Sequence, residues 1–204
     1  MQLTLYEFGP TRAGRVRWTL LELDMPFESI AGRELFHSPE LKKVHPLGKL
    51  PGFVADGRPL FESAAIATWC ADRKPEKGLA HKPGTWERAL HDQWVSFALT
   101  ELEAHLWSRL RNTMLLPEEK RVAAIVPQNE ADYRTAIPVL DDALKGQEYL
   151  VGGAFSVTDI IVGFTANWGR NFGLNTGTPE VNRWLDGLYQ RPHCTIKLMA
   201  RAAA

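Results

Sequence analysis

The sequence predicts an α/β unit followed by an all-helical bundle, and three observations carry that reading. Up to Asp72 the elements read β-α-β and then β-β-α. A polar stretch containing proline and glycine, KPEKGLAHKPG from Lys74 to Gly84, reads as a linker. Beyond it the strand signals almost vanish and helical periodicity takes over. The order of the first elements suggests a small α/β sandwich rather than a doubly wound nucleotide domain. No GxGxxG or Walker loop follows the first strand, which also argues against nucleotides.

Leu3 to Tyr6 alternates as a short strand does. From Ala13 to Leu23 the apolar residues Val16, Leu20 and Leu23 recur at helical spacing, with Trp18 and Leu21 widening the stripe. Asp24-Met25-Pro26 stops that helix, because the residue before proline is pushed away from the α region. FESIAG, Phe27 to Gly32, is the second strand, and the βαβ opening favours a parallel pair with a right-handed crossover. Ser38-Pro39 starts a short helix. GFVADGRPLF alternates around Asp56-Gly57, the dipeptide of a tight hairpin turn, and a helix runs from Glu62 to Asp72.

In the second half, Trp86 to Arg111 forms one long helical pattern with Leu90, Trp94, Phe97, Leu102, Leu106 and Leu110 on its inward side. Pro117-Glu118-Glu119 is the acidic start of another helix, bent or interrupted near Pro127 and Pro138. Two more helices are expected at Phe155–Asn167 and Pro179–Tyr189. Ser156 and Asp159 form an acidic capping box with Phe155 as the staple, a folding device worth about 1 kcal/mol. The expected domains are 1–77 and 86–204.

Composition removes several function classes. At 204 residues the chain can bury a proper core, and 45% hydrophobic with 24% charged residues does not favour disorder. Lys plus Arg equals Asp plus Glu at 24 each, leaving no basic excess to neutralise phosphates, which argues against a nucleic-acid partner. The start, MQLTLYEFG, lacks the basic and apolar regions of a signal peptide. No segment approaches the roughly 18 continuous apolar residues of a membrane span. Cys70 and Cys194 form no CxxC or zinc spacing, and the six histidines form no HExxH cluster. A cytosolic protein with no metal and no membrane partner is expected.

Five segments, in order, carry a resemblance: RVRWTLLELDMPFE, HSPELKKVHPLGKLP, FESAAI, FSVTDI and PEVNRWLDGLYQRPH. Together they span nearly the whole chain, which resembles the cytosolic glutathione S-transferases. The resemblance implies a thioredoxin-like N-terminal domain, a helical C-terminal domain, glutathione as co-substrate and a homodimer. It also implies that Pro51 is cis, leaving the backbone of Leu50 to pair with glutathione as an added strand. Glu62-Ser63 would open a helix whose N–H groups and dipole suit the γ-glutamyl carboxylate, with the Ser63 hydroxyl as a further donor and Glu62 facing the ligand's ammonium. Alternatively Ser63 is only a cap. Lys49 and His37 are implied for the glycyl carboxylate, while His45 reads as structural.

Thr11 lies where the first strand hands over to a helix. A thiol with a pKa of about 8.5 is mostly protonated at neutral pH, whereas the nucleophile is the thiolate. A hydroxyl donor aimed at sulfur beside a helix start stabilises the charged form. Thr11 is the candidate catalytic residue, with Arg12 adding positive potential; the alternative is a plain helix cap. No cysteine occurs between Met1 and Trp69, and Cys70 sits in an apolar helix as a buried thiol, so chemistry through an enzyme cysteine is disfavoured. The electrophile pocket is expected at Phe8 and Pro10 on one side and Trp107 and Arg111 on the other, residues that can equally be core or surface groups. The leading expectation is a transferase adding glutathione thiolate to a hydrophobic electrophile. The alternatives are glutathione-dependent reduction of a peroxide or disulfide, and a non-catalytic glutathione or ligand binder.

Overall fold

A computed structural model of the chain describes residues 1–196. The chain divides into two compact units. One comprises Met1–Pro83 with Pro192–Thr195, and the other contains Gly84–Arg191 and Ile196. Of the domain expected at 86–204, residues 197–204 lie outside those described.

The first unit is built on four strands, β1 (Leu3–Glu7), β2 (Glu28–Ala31), β3 (Gly52–Ala55) and β4 (Arg58–Phe61), in the spatial order β2-β1-β3-β4. β1 runs parallel to β2, with Leu5 opposite Ser29, and antiparallel to β3, with Leu5 opposite Phe53. The β3–β4 hairpin turns on Asp56 and Gly57, with φ of 47° and 76°, as a primed two-residue turn requires. Alternation along the strands divides the two faces. Leu5 and Phe53 are fully buried on one face, where Phe53 meets the Trp69 ring edge-on. Tyr6, Phe8 and Ile30 pack against a cluster of Leu35, Leu41 and Leu50.

Helix α1 (Ala13–Glu22) packs against α3 (Ser63–Asp72), while α2 (Pro39–Val44) lies on β3 and β4. α2 starts as its sequence predicts: Ser38 Oγ accepts from the Leu41 N–H at 3.0 Å and Pro39 occupies the first turn. α1 ends through Asp24 in a left-handed conformation, φ 49°, while the Met25 N–H returns to the Leu20 carbonyl. The segment Pro192–Thr195 is anchored by the Thr195 hydroxyl, which donates to the Gly14 carbonyl at 2.8 Å.

The second unit contains α4 (Trp86–Phe97), α5 (Ala104–Leu110), α6 (Ile125–Ala143), α7 (Val157–Asn171) and α8 (Pro179–Tyr189). The long helix expected over 86–111 runs without interruption as far as Leu115, with wide π-type turns at Ala98–Glu103 and Arg111–Leu115. Polar side chains bond back to carbonyls around both turns. Thr100 donates to Ser96, Asn112 to Ser108 and Thr113 to Arg109, a pattern that bends helices. Trp94, Leu102 and Leu106 are buried as the periodicity predicts, but so are His91 and Glu103. His91 Nδ1 pairs with the Thr158 hydroxyl at 2.9 Å, and Glu103 accepts from Thr165 at 2.8 Å.

The helix expected to open at Pro117-Glu118-Glu119 is instead a single 3₁₀ turn, Glu118–Lys120. Irregular backbone follows, tied down by the Val122 N–H on Asn112 Oδ1 and by Arg121 Nε on the Leu116 carbonyl. α6 then runs through Pro127 and Pro138 without ending. Pro127 falls in the first turn, where no intrahelical N–H is needed, and Pro138 sits on the exposed side.

The Ser156–Asp159 capping box is present, and it does more than cap. Asp159 Oδ2 accepts from the Ser156 N–H at 2.9 Å. Its Oδ1 accepts from the Leu150 N–H at 2.9 Å and from the Trp184 indole at 3.1 Å. Burial pushes this carboxyl up to about 6, against the pull of its donors. No helix among the described residues is long and apolar enough to cross a membrane.

Candidate active site

The sequence-predicted residues of the first unit gather around three chain segments: the exit of β1, the approach to β3 and the start of α3. Glu7 fixes the first. It is buried at the end of β1, where its carboxylate accepts from Arg17 Nε at 2.8 Å, from Arg17 Nη2, and from the Ser29 hydroxyl at 2.5 Å. That charge-assisted cluster ties β1 to α1 and β2, so the loop leaving Glu7 starts from a fixed point.

On this loop, Phe8 meets Phe36 edge-to-face at 6.2 Å with its other contacts on the leucine cluster, and Pro10 is exposed. Thr11 is half-buried. Its N–H donates to the Gly9 carbonyl at 2.9 Å, and its hydroxyl oxygen accepts from the Ala13 N–H at 3.3 Å. The N-cap position of α1 belongs to Arg12, which makes no side-chain cap bond. Thr11 therefore lies one residue before the cap. Its hydroxyl proton has no acceptor among the described residues.

Leu50 is buried and its peptide bond to Pro51 is cis. No backbone hydrogen bond joins the Leu50 N–H or C=O to another described residue. Lys49 and His37, 12 residues apart in sequence, are drawn together through Gly48: the His37 N–H donates to the Gly48 carbonyl at 2.9 Å. Gly48 has φ +60°, and a Cβ there would stand 2.7 Å from the His37 Cα, so only glycine permits this approach. Both side chains are exposed. His45 is different in kind. It is buried, its Nδ1 accepts from the Leu47 N–H at 3.2 Å, and its ring tilts against Phe61 at 5.0 Å. Burial holds its imidazole below the ordinary range, opposed by the Glu62 carboxylate.

At the start of α3, Glu62 is the N-cap residue with φ 71° and ψ 109°, a conformation that non-glycine residues rarely adopt, and it makes no side-chain cap bond. Ser63 is therefore the first helical residue and not the N-cap. Ser63 is buried, and its oxygen accepts from Arg15 Nη1 at 3.1 Å. Arg15, fully buried in α1, went unrecognised in the sequence, where an arginine in a helix reads by default as a surface residue.

Trp107 and Arg111 belong to the helical unit. Trp107 is half-buried and meets Trp168 edge-on at 6.5 Å; Arg111 is exposed at the start of the second π-type turn. Cys70, on α3, is buried, and desolvation pushes its thiol up to about 12, far from a thiolate at neutral pH. Among the described residues, no group of three or more His, Cys, Asp or Glu is placed to hold a metal ion.

A four-stranded mixed sheet with a cis-proline at its margin, joined in sequence to a helical bundle, defines a class that the comparisons identify. Residues 1–72 match the family model for the glutathione S-transferase N-terminal domain, and residues 106–192 match that for the glutathione S-transferase C-terminal domain. The chain belongs to the glutathione S-transferase family. Glutathione S-transferase hmp2 of Hypomyces subiculosus is 31% identical over 223 residues, covering 99% of this chain and 100% of that protein. Glutathione S-transferase GST-4.5 of Xanthomonas campestris is 26% identical over 181 residues, 86% of this chain and 83% of that one. The fold matches that of a theta class glutathione S-transferase from Xanthomonas axonopodis with glutathione bound. Its TM-score is 0.80 at 23% identity, covering 97% of each chain.

Proposed function

We propose that the chain is a glutathione transferase in which Thr11 stabilises the thiolate of bound glutathione for attack on a hydrophobic, electrophilic small molecule. One observation carries the assignment: the Thr11 hydroxyl accepts from the Ala13 N–H, yet its own proton has no acceptor among the described residues. A hydroxyl so held can donate to sulfur without losing a bond. It lies beside the start of α1, where backbone N–H groups carry positive partial charge.

The proposed binding mode uses the remaining residues. The tripeptide lies along the Leu50-Pro51 segment and pairs with the free backbone groups of Leu50. Its γ-glutamyl carboxylate meets the Ser63 hydroxyl and the first N–H groups of α3, and its ammonium faces Glu62. Lys49 and His37 take the glycyl carboxylate. The thiol proton leaves to water, the sulfur forms a bond to the electrophilic carbon, and a leaving group such as halide departs with its bonding pair. Thr11 contributes hydrogen bonding, not proton transfer, so the catalysis is electrostatic stabilisation plus proximity. Phe8 and Pro10 are proposed to meet the electrophile. A detoxifying homodimer in the cytoplasm is the proposed setting, and two free cysteines fit a reducing compartment.

Steady-state conjugation of a halogenated nitroarene tests the assignment. Thr11→Ala is expected to lower turnover at pH 7 by about 10- to 100-fold, the value of one to two pKa units, with glutathione affinity within about twofold. Thr11→Ser should retain most of the activity. Turnover by Thr11→Ala at the wild-type rate would remove the hydroxyl from the mechanism.

A further inference from the structure

Arg15 is a buried charge that the thiolate mechanism does not use. It projects from α1, has no exposed surface, and donates through Nη1 to Ser63 Oγ across the α1–α3 contact at 3.1 Å. Filling a helix–helix contact with a guanidinium is costly, because its desolvation must be repaid by hydrogen bonds; an apolar residue fills such a space more cheaply. The location of the charge therefore matters. It lies behind the first residue of α3, the helix start at which the protein supplies no side-chain cap.

Resting on the glutathione-binding mode proposed above, we infer that Arg15 is a positioning residue: it sets the Ser63 hydroxyl as a donor to the α-carboxylate of the γ-glutamyl group. A serine hydroxyl has one proton and two lone pairs, whereas a guanidinium has donors only. Once Arg15 occupies a lone pair of Ser63, the serine proton cannot point at Arg15 and is turned away from it. Among the described residues that proton has no other acceptor. The hydroxyl is thereby ordered as a donor beside the N–H groups of α3, and no rotor freedom is lost when a carboxylate arrives. The fixed positive charge of Arg15 adds to the positive helix end in the same direction. Arg15 donates to Ser63 and is not placed on the ligand, so the part of its influence that bears on binding should pass through that hydroxyl and be read by a ligand with the carboxylate.

The test measures dissociation constants for two ligands, glutathione and 4-aminobutanoyl-cysteinyl-glycine, the same tripeptide without its α-carboxylate. Four proteins are compared: wild type, Ser63→Ala, Arg15→Gln and the double variant. Arg15→Gln is expected to weaken glutathione binding by about tenfold, the loss of one charge-assisted hydrogen bond, and to leave the decarboxylated ligand within about twofold. In the Ser63→Ala background it should add less than about twofold, because the hydroxyl it orders is gone. Arg15→Lys keeps a buried cation, and if Arg15→Gln does not fold it carries the test, with a smaller loss confined again to glutathione. Equal weakening of both ligands, no weakening of either, or a full further tenfold loss in the Ser63→Ala background would overturn the role of Arg15. The underlying binding mode fails separately: Ser63→Ala with wild-type affinity for both ligands would remove the carboxylate from α3 whatever Arg15 does.

Discussion

The first turns of α3 and α7 are the same physical object, put to opposite uses under the proposed function. Both are helix starts, with backbone N–H groups that favour a negative charge. At α7 the protein supplies the acceptor itself. Asp159 is enclosed there and accepts from the Ser156 N–H, and Ser156 Oγ accepts from the Thr158 N–H, so the capped turn serves the fold. The Leu150 N–H and the Trp184 indole, from outside α7, complete the carboxyl's partners. At α3 the cap residue Glu62 stands in a left-handed conformation with no cap bond, and the neighbouring hydroxyl of Ser63 is held by Arg15. A turn completed internally contributes stability. One whose donors the protein leaves uncommitted contributes recognition, in this account of a carboxylate brought by the ligand.

The largest expected effect breaks the completed turn. Asp159→Asn keeps the shape but points an amide N–H₂ at N–H donors, and it should cost about 2–3 kcal/mol. For a chain of this size that is a fall in melting temperature of roughly 5–10 °C. Glutathione affinity should not change. The pH dependence follows from the raised folded-state pKa. The Asp159 contribution is fully present below its unfolded value of 3.8 and is lost as pH rises through about 6. The stability gap between wild type and Asp159→Asn, followed by thermal melts, should therefore be widest near pH 4 and narrow towards pH 7.

Ser63→Ala makes the reverse change at α3. On the proposed binding mode glutathione affinity should fall by about tenfold, while the melting temperature falls less than in Asp159→Asn, by about 2–4 °C, because buried Arg15 loses one acceptor. A loss of stability as large as that of Asp159→Asn, with affinity retained, would place both turns in the structural class. The smallest effect sharpens the comparison along α3 itself. Cys70→Ala, in the last turns of that helix, should leave conjugation within about twofold of wild type, because a thiol held at about 12 supplies no nucleophile. In the folded wild type a thiol reagent at pH 8 should react at Cys194 and spare Cys70.

Local signals were the legible part of the sequence. Asp56-Gly57, Ser38-Pro39 and the Ser156–Asp159 box each act within four residues, so the chemistry that defines them is contiguous. Family resemblance added the cis bond at Pro51, which no local pattern specifies. The illegible part depends on distance. Arg15 and Ser63 meet across 48 residues of chain, and nothing in GRVRW says which of its arginines turns inward. Arg17, two residues on, is paired with Glu7 instead. The φ of Glu62 is set by the join between β4 and α3, not by its own preference. The sequence leaves open whether Pro138 bends or interrupts its helix; α6 continues through it, because the cost of proline depends on whether the freed carbonyl faces water, and burial is not written in the local sequence.

Titration of the glutathione thiol on the enzyme, followed by thiolate absorbance in the ultraviolet, addresses the central claim most directly. A bound thiol about one to two pKa units below that of free glutathione is expected in the wild type, and a value close to free glutathione in Thr11→Ala. A wild-type thiol that titrates as it does in solution, or an equal depression in Thr11→Ala, would contradict that claim.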